Sequence, residues 1–221
     1  MAKRISAGAR TARPESSTDS DLVTATLALL LPDEPVPVRL MNTIWADRYG
    51  VYDALETVGN LRAWLAAVQP GQDEPAPDGG DLARFRDLRD ALRRLAAHIT
   101  DDARPRAASA MTDPGQAVAE VNRAAAQAPA WPQLAYQNGR LRLTLSGQAT
   151  SAQRALSSIA RDSMGLMTGD TRVDLRACPA PGCVLYFVKD HPRREWCSTA
   201  CGNRARAARH YDRHHRTPAD V

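Results

Sequence analysis

The sequence predicts a mainly α-helical body that carries one small β-hairpin, an α+β arrangement, followed by a compact cysteine-held module. Three observations predict this. Apolar residues recur at three- and four-residue spacing through most of positions 21–170, the signature of helices with one buried face. Asn138-Gly139 stands between two alternating runs, the strongest short-range hairpin signal. All four cysteines, Cys178, Cys183, Cys197 and Cys201, fall in the last fifth of the 221 residues, spaced C-x4-C-x13-C-x3-C.

The elements follow in order. Residues 1–19 are polar and rich in Arg, Ser and Thr, and read as a disordered tail. The body spans 20–170. Its first apolar run, Leu22 to Leu31, suits a buried strand or a short helix equally well. Val38, Met41, Ile44 and Trp45 predict a helix over Val36–Tyr49, and Leu61, Trp64, Leu65 and Val68 predict a second. Prolines and glycines between Gln69 and Gly80 predict a loop. Leu82, Phe85, Leu88, Leu92, Leu95 and Ile99 then mark the clearest helix, from Asp81 to about His98, with arginines on the opposite side. Asp113-Pro114 reads as an N-cap followed by proline at the first helical position, opening a helix with Val118, Val121 and Ala125. Gln133–Ser146 is the hairpin. Thr150-Ser151-Ala152-Gln153 is a capping box for a helix with Leu156, Ile159 and Met164. Met167–Asp174 reads as a hinge into the module, residues 171–221.

Two close cysteine pairs separated by a short run can close a tetrahedral zinc site. Cys178-Pro179-Ala180-Pro181-Gly182-Cys183 is a knuckle built from proline and glycine. Val184–Val188 predicts a strand, Arg194–Trp196 its returning partner, and Cys197 and Cys201 fit the first turn of a helix from about Ser198 to His215. This order, knuckle, hairpin, then helix with the second pair, resembles a treble-clef zinc finger. Only Leu185, Phe187, Trp196 and a few others could form an apolar core, so the metal must supply the missing stability, on the order of 10–16 kcal/mol in comparable peptides. Four cysteines leave no open coordination position, so the expected cofactor is one structural zinc ion rather than a catalytic one.

The net charge of +4 is uneven. Residues 171–221 hold 10 Lys+Arg against 5 Asp+Glu, and the other 170 residues hold 19 against 20. The excess of positive charge therefore sits in the cysteine module, with four of the five histidines. Arg204, Arg206, Arg209, His210 and Arg213 follow the last cysteine, and only Asp212 opposes them. Such a helix suits phosphates, and bidentate arginine suits guanine edges in a major groove. The expected partner is double-stranded DNA. Two alternatives use the same face: an adaptor docking on an acidic surface of the transcription machinery, or an RNA-binding protein, against which stands the scarcity of aromatics on that helix.

The string Trp196-Cys197-Ser198-Thr199-Ala200-Cys201-Gly202-Asn203-Arg204-Ala205-Arg206 resembles the CGNR zinc-finger family. The body resembles the ABATE domain that accompanies this finger in bacterial proteins. Leu40-Met41-Asn42-Thr43, Asn60-Leu61-Arg62-Ala63-Trp64-Leu65 and Leu88-Arg89-Asp90-Ala91-Leu92 match its motifs. The resemblance implies a bacterial transcription regulator, with zinc on Cys178, Cys183, Cys197 and Cys201. Here the second cysteine pair encloses three residues, where the family pattern more often has four, and position 39 is arginine where an acidic residue often sits.

The body has no cysteine, one histidine (His98), and no G-x-S-x-G, P-loop or dinucleotide fingerprint. No enzyme activity is expected. Asn42, Thr43, Asp47 and Arg48 are candidates to line a small-molecule pocket, or else to cap and brace helices. The body would then sense an effector or hold a homodimer. The longest apolar run is far below the roughly 20 residues of a membrane span, and no cleavage pattern follows it. The expectation is a cytoplasmic, nucleoid-associated protein with no membrane partner.

Overall fold

The structure, a computed structural model, describes residues 31–69, 76–169 and 174–215. The expected tail at 1–19 and nearly all of the Leu22–Leu31 run lie outside the described residues.

Proline in the first turn starts helix α1, Val36–Met41. The helix was expected to reach Tyr49 and does not. After Asn42 the chain turns into an antiparallel pair, β1 (Ile44–Ala46) and β2 (Val51–Asp53). The Asp47 carboxylate accepts the N–H groups of Tyr49 and Gly50 at 2.7 and 3.0 Å. Asp at the first and Gly at the fourth position is a β-turn signature, and here it overrides the helical spacing. Trp45 and Tyr52 stack across the pair with centroids 4.6 Å apart.

Helix α2 runs Val58–Val68 behind a Thr57–Asn60 capping box. Helix α3, Gly79–Ile99, starts at a second capping box, Asp78 with Asp81. Gly79 and Gly80, read as loop, thus form its first turn. A 3-10 turn at Pro105–Ala107 leads to α4, Pro114–Ala126, capped by Asp113. Strands β3 (Trp131–Gln137) and β4 (Arg140–Ser146) form the expected hairpin, with Asn138 and Gly139 at φ 50° and 73°, the left-handed pair a two-residue turn needs. Helix α5, Ser151–Thr168, begins at the expected Thr150–Gln153 box.

Helix α3 is the spine of the body. Its Phe85, Leu88, Leu92 and Ala96 are fully buried among Val38, Leu40, Met41, Leu61, Trp64, Val121, Leu156 and Ile159. Two expectations need correction here. The arginines of α3 do not all lie opposite its apolar face: Arg89 and Arg93 are 4% and 1% exposed. Counting in fours from Phe85 reaches Arg89 and then Arg93, so both fall on the buried stripe. Val118, in turn, is exposed, because α4 buries Ala117, Val121 and Ala124 instead.

The C-terminal region adds β5 (Leu175–Ala177), β6 (Tyr186–Val188) and helix α6 (Thr199–His215). Strand β6 pairs antiparallel with β5, before the knuckle, and not with Arg194–Trp196, which is irregular. The knuckle is therefore framed by the hairpin rather than followed by it. Arg194 is engaged elsewhere, as described below. Leu175 and Tyr186 belong to the body's apolar core, while Phe187 turns to a second cluster around the four cysteines, with Ala180 and Ala205. Among the described residues about half are helical, joined by small antiparallel strand pairs.

Candidate metal centre

The knuckle is shaped by a tight turn. Cys183 N–H donates to Ala180 O at 3.0 Å, with Pro181 and Gly182 between them and Gly182 at φ 72°. Proline then glycine at the two central positions is a type II turn. Cys178 N–H donates to Leu185 O at 3.0 Å, closing the base. Of the second pair, Cys201 lies in the first turn of α6 and Cys197 just before it, and the Ser198 hydroxyl accepts Cys201 N–H at 3.3 Å.

These elements bring all four sulfurs within 4.8 Å of one another, and all four cysteines are buried. The Sγ atoms of Cys183 and Cys197 are 3.8 Å apart, those of Cys201 and Cys183 3.8 Å, and those of Cys197 and Cys201 3.4 Å. Tetrahedral zinc with sulfurs at about 2.3 Å requires sulfur–sulfur distances of about 3.8 Å, whereas a disulfide requires about 2.05 Å. The donor set and its spacing fit one zinc ion. Without a cation the four thiols cannot all ionise. Hydrogen bonds from Cys183 and Cys197 hold Cys178 down to about 7, and hydrogen bonds from its neighbours hold Cys201 well below the ordinary thiol value. Cys183 and Cys197 are pushed up in exchange.

Groups that sequence reasoning did not find surround the centre. Arg104 Nη1 donates to the carbonyls of Cys178 and Cys183 at 2.7 and 2.9 Å. Asp102 aims it through two further bonds of 2.7 Å and also accepts Tyr186 OH at 2.8 Å. Burial raises the Asp102 pKa, but the hydrogen bonds from Arg104 and Tyr186 outweigh it and hold the carboxyl below its ordinary value. Burial likewise pushes Tyr186 up to about 12. The buried Arg93 guanidinium bridges body and knuckle, donating to Met41 O at 2.9 Å, Ala107 O at 3.0 Å and Val184 O at 3.3 Å. Arg194 donates to Val188 O, Glu34 Oε1 and Cys197 O at 3.0, 2.5 and 3.3 Å, while Glu34 Oε2 accepts Val188 N–H at 2.8 Å. Burial raises Glu34 despite that pairing.

The four pocket candidates each hold local structure. Asn42 donates to Tyr186 O and accepts Tyr186 N–H, both at 2.9 Å, acting as a one-residue strand partner for β6. The Thr43 hydroxyl donates to Leu40 O, Asp47 holds the β1–β2 turn, and Arg48 lies over the Tyr49 ring at 4.6 Å. Two surface clefts occur elsewhere, one of about 670 Å³ along His98–Asp101 and Leu175–Ala177, the other of about 450 Å³ around Ala128–Ala130 and Arg154–Arg161. Neither is lined by these four residues.

The basic helix divides in two. Arg204 turns to the metal centre, with Nη2 3.2 Å from Cys201 Sγ. Arg206 and Arg209 lie over the Trp196 ring, at 5.8 and 5.7 Å from its centroid. A Cβ at Gly202 would stand 3.2 Å from that ring, so glycine lets the indole lie against the helix. Beyond Ala208, the residues from Arg209 to His214 are exposed.

Residues 34–170 match the model of the ABATE domain, described as a "putative stress-induced transcription regulator", and residues 175–214 match the CGNR zinc finger. The chain belongs to the ABATE family. No curated protein matches it. Within this ABATE protein the Gly202 and Arg204 of the CGNR string have separate tasks, close packing for the first and a thiolate hydrogen bond for the second. The first description names transcription regulation and the second a zinc finger. No described helix is long and apolar enough to cross a membrane.

Proposed function

We propose that this protein is a zinc-dependent, DNA-binding transcription regulator in which α6 contacts the duplex. The observation that carries this reading is the exposed basic face of α6. At 100° per residue Arg206, Arg209, His210 and Arg213 share one face, and the helix is anchored at its other end by a buried four-sulfur centre. Arg206 and Arg209 lie over Trp196, which limits their rotamer freedom before any partner binds. Arg204 stays with Cys201 and orients the metal centre rather than touching nucleic acid. Arg104, Arg93 and Arg194 grip the knuckle and Cys197 carbonyls, so that the body sets the angle at which α6 is presented.

The test is selection of bound fragments from genomic DNA by the full zinc-loaded chain, with Cys201→Ser in parallel. A shared motif, lost in the variant, supports the reading. Arg209→Ala and Arg213→Ala should each reduce the slope of log K against log salt by about 1 if they contact phosphate. Capture of an acidic protein by the same arginines, with no DNA affinity, would favour the adaptor instead.

A further inference from the structure

The β3–β4 hairpin is an exposed arm with two unlike faces. In its register Leu134 stands opposite Leu143 and Tyr136 opposite Leu141. Alternation places these four side chains on one face, and they are 70%, 73%, 74% and 70% exposed. The other face is mostly polar, with Gln133, Gln137, Arg140, Arg142 and Thr144, and carries Ala135 and, at its far end from the turn, the exposed Trp131. Two-stranded hairpins alone are marginal in water, and the largest apolar patch on a protein surface is often a functional contact. No described helix covers it.

We propose that this apolar face packs against the same face of a second copy of the chain, across a twofold axis. Three features favour that occupant. The face carries no charge, and Arg140 and Arg142 point away from it, so two arms approach without like charges meeting. A polyanion finds nothing on that face to bind. Four side chains about three-quarters exposed present roughly 500 Å², so two arms bury about 1,000 Å², which reaches the floor for a specific complex. Pairing along the strand edges would widen the exposed face rather than cover it, and Pro132 offers no N–H along β3. Face-to-face packing at about 10 Å, as between the layers of a sandwich, removes the four side chains from water on both copies. The dimer is separate from the nucleic-acid reading, and its consequence is two copies of α6 in one particle.

The experiment is sedimentation equilibrium of the full zinc-loaded chain, with Leu143→Arg, Leu143→Glu, their equimolar mixture, and Gln133→Arg on the polar face. Wild type is expected to be a dimer with micromolar Kd. Each Leu143 variant and their mixture should raise Kd at least about a hundredfold, and Gln133→Arg should change little. Circular dichroism of each variant should match wild type, because position 143 is exposed. A monomer at about 100 µM, or a dimer indifferent to both Leu143 variants, overturns the proposal. So does a monomer that dimerises only when residues 1–30 are deleted, since the arm would then be covered by its own chain.

Discussion

Two hairpins of this molecule make an instructive pair. The β3–β4 arm has seven residues per strand and the strongest local turn signal in the chain, yet it stands in solvent. The β5–β6 hairpin has three residues per strand and an eight-residue connection, Cys178–Leu185, in place of a two-residue turn, yet Leu175, Tyr186 and Phe187 are buried. Local propensity builds the first. The second is held from outside, by metal ligands at one end, by Arg93 and Arg104 on its carbonyls, and by Asn42 along its edge. A hairpin that is easy to see in sequence need not be part of the core, and one that is hard to see can join two cores.

The sharpest way to break that comparison is to remove the metal. Chelation, or Cys201→Ser, should cost the finger on the order of 10 kcal/mol. Hydrogen exchange should then lose protection in β5–β6 and α6, while the body helices and the β3–β4 arm keep theirs. Equal loss in both hairpins would mean that the arm depends on the finger.

Arg93→Met is expected to come next. It keeps much of the side-chain volume but leaves the carbonyls of Met41, Ala107 and Val184 without their donor. Each buried carbonyl left unsatisfied costs about 1–3 kcal/mol, read as a drop in denaturation midpoint.

The two left-handed glycines among the described residues offer a gentler contrast. Gly182→Ala forces a side chain onto φ 72° and sets a Cβ 3.2 Å from Arg106 Nη1, whereas Gly139→Ala at φ 73° meets nothing within 4 Å. Each should cost about 1–2 kcal/mol for the backbone. Only the first should also weaken zinc affinity, measured by competition with a chromogenic chelator.

The smallest effect concerns pH. Asp102 is held below its ordinary value in the folded state. Its contribution is therefore present above an unfolded value of about 3.9 and is lost as pH falls through the lower folded one. Thermal melts of zinc-loaded wild type and zinc-loaded Asp102→Asn should differ near neutrality, and the gap should narrow as pH drops below about 4. A constant gap would show that Asp102 acts by shape alone.

The legible part of this protein is local. The four cysteines declare the metal centre by type and spacing, because zinc requires only four thiolates delivered by two turns. Asp113-Pro114, Thr150–Gln153 and Asn138-Gly139 mark element boundaries because their hydrogen bonds or dihedrals close within four residues. The Asp47–Gly50 turn was equally local and was masked by accidental helical spacing in Ile44 and Trp45. The buried Arg89 and Arg93 could have been read from their four-residue steps after Phe85.

What only the tertiary structure decided is the joining of body and finger. Arg104 meets Cys178 and Cys183, Arg194 meets Glu34, and Asn42 meets Tyr186, across 74 to 160 positions of chain. Arg104 and Asn42 here donate to backbone carbonyls, those of Cys178, Cys183 and Tyr186. Every residue carries one, so nothing in the sequence distinguishes the carbonyl that will be gripped from those that will not.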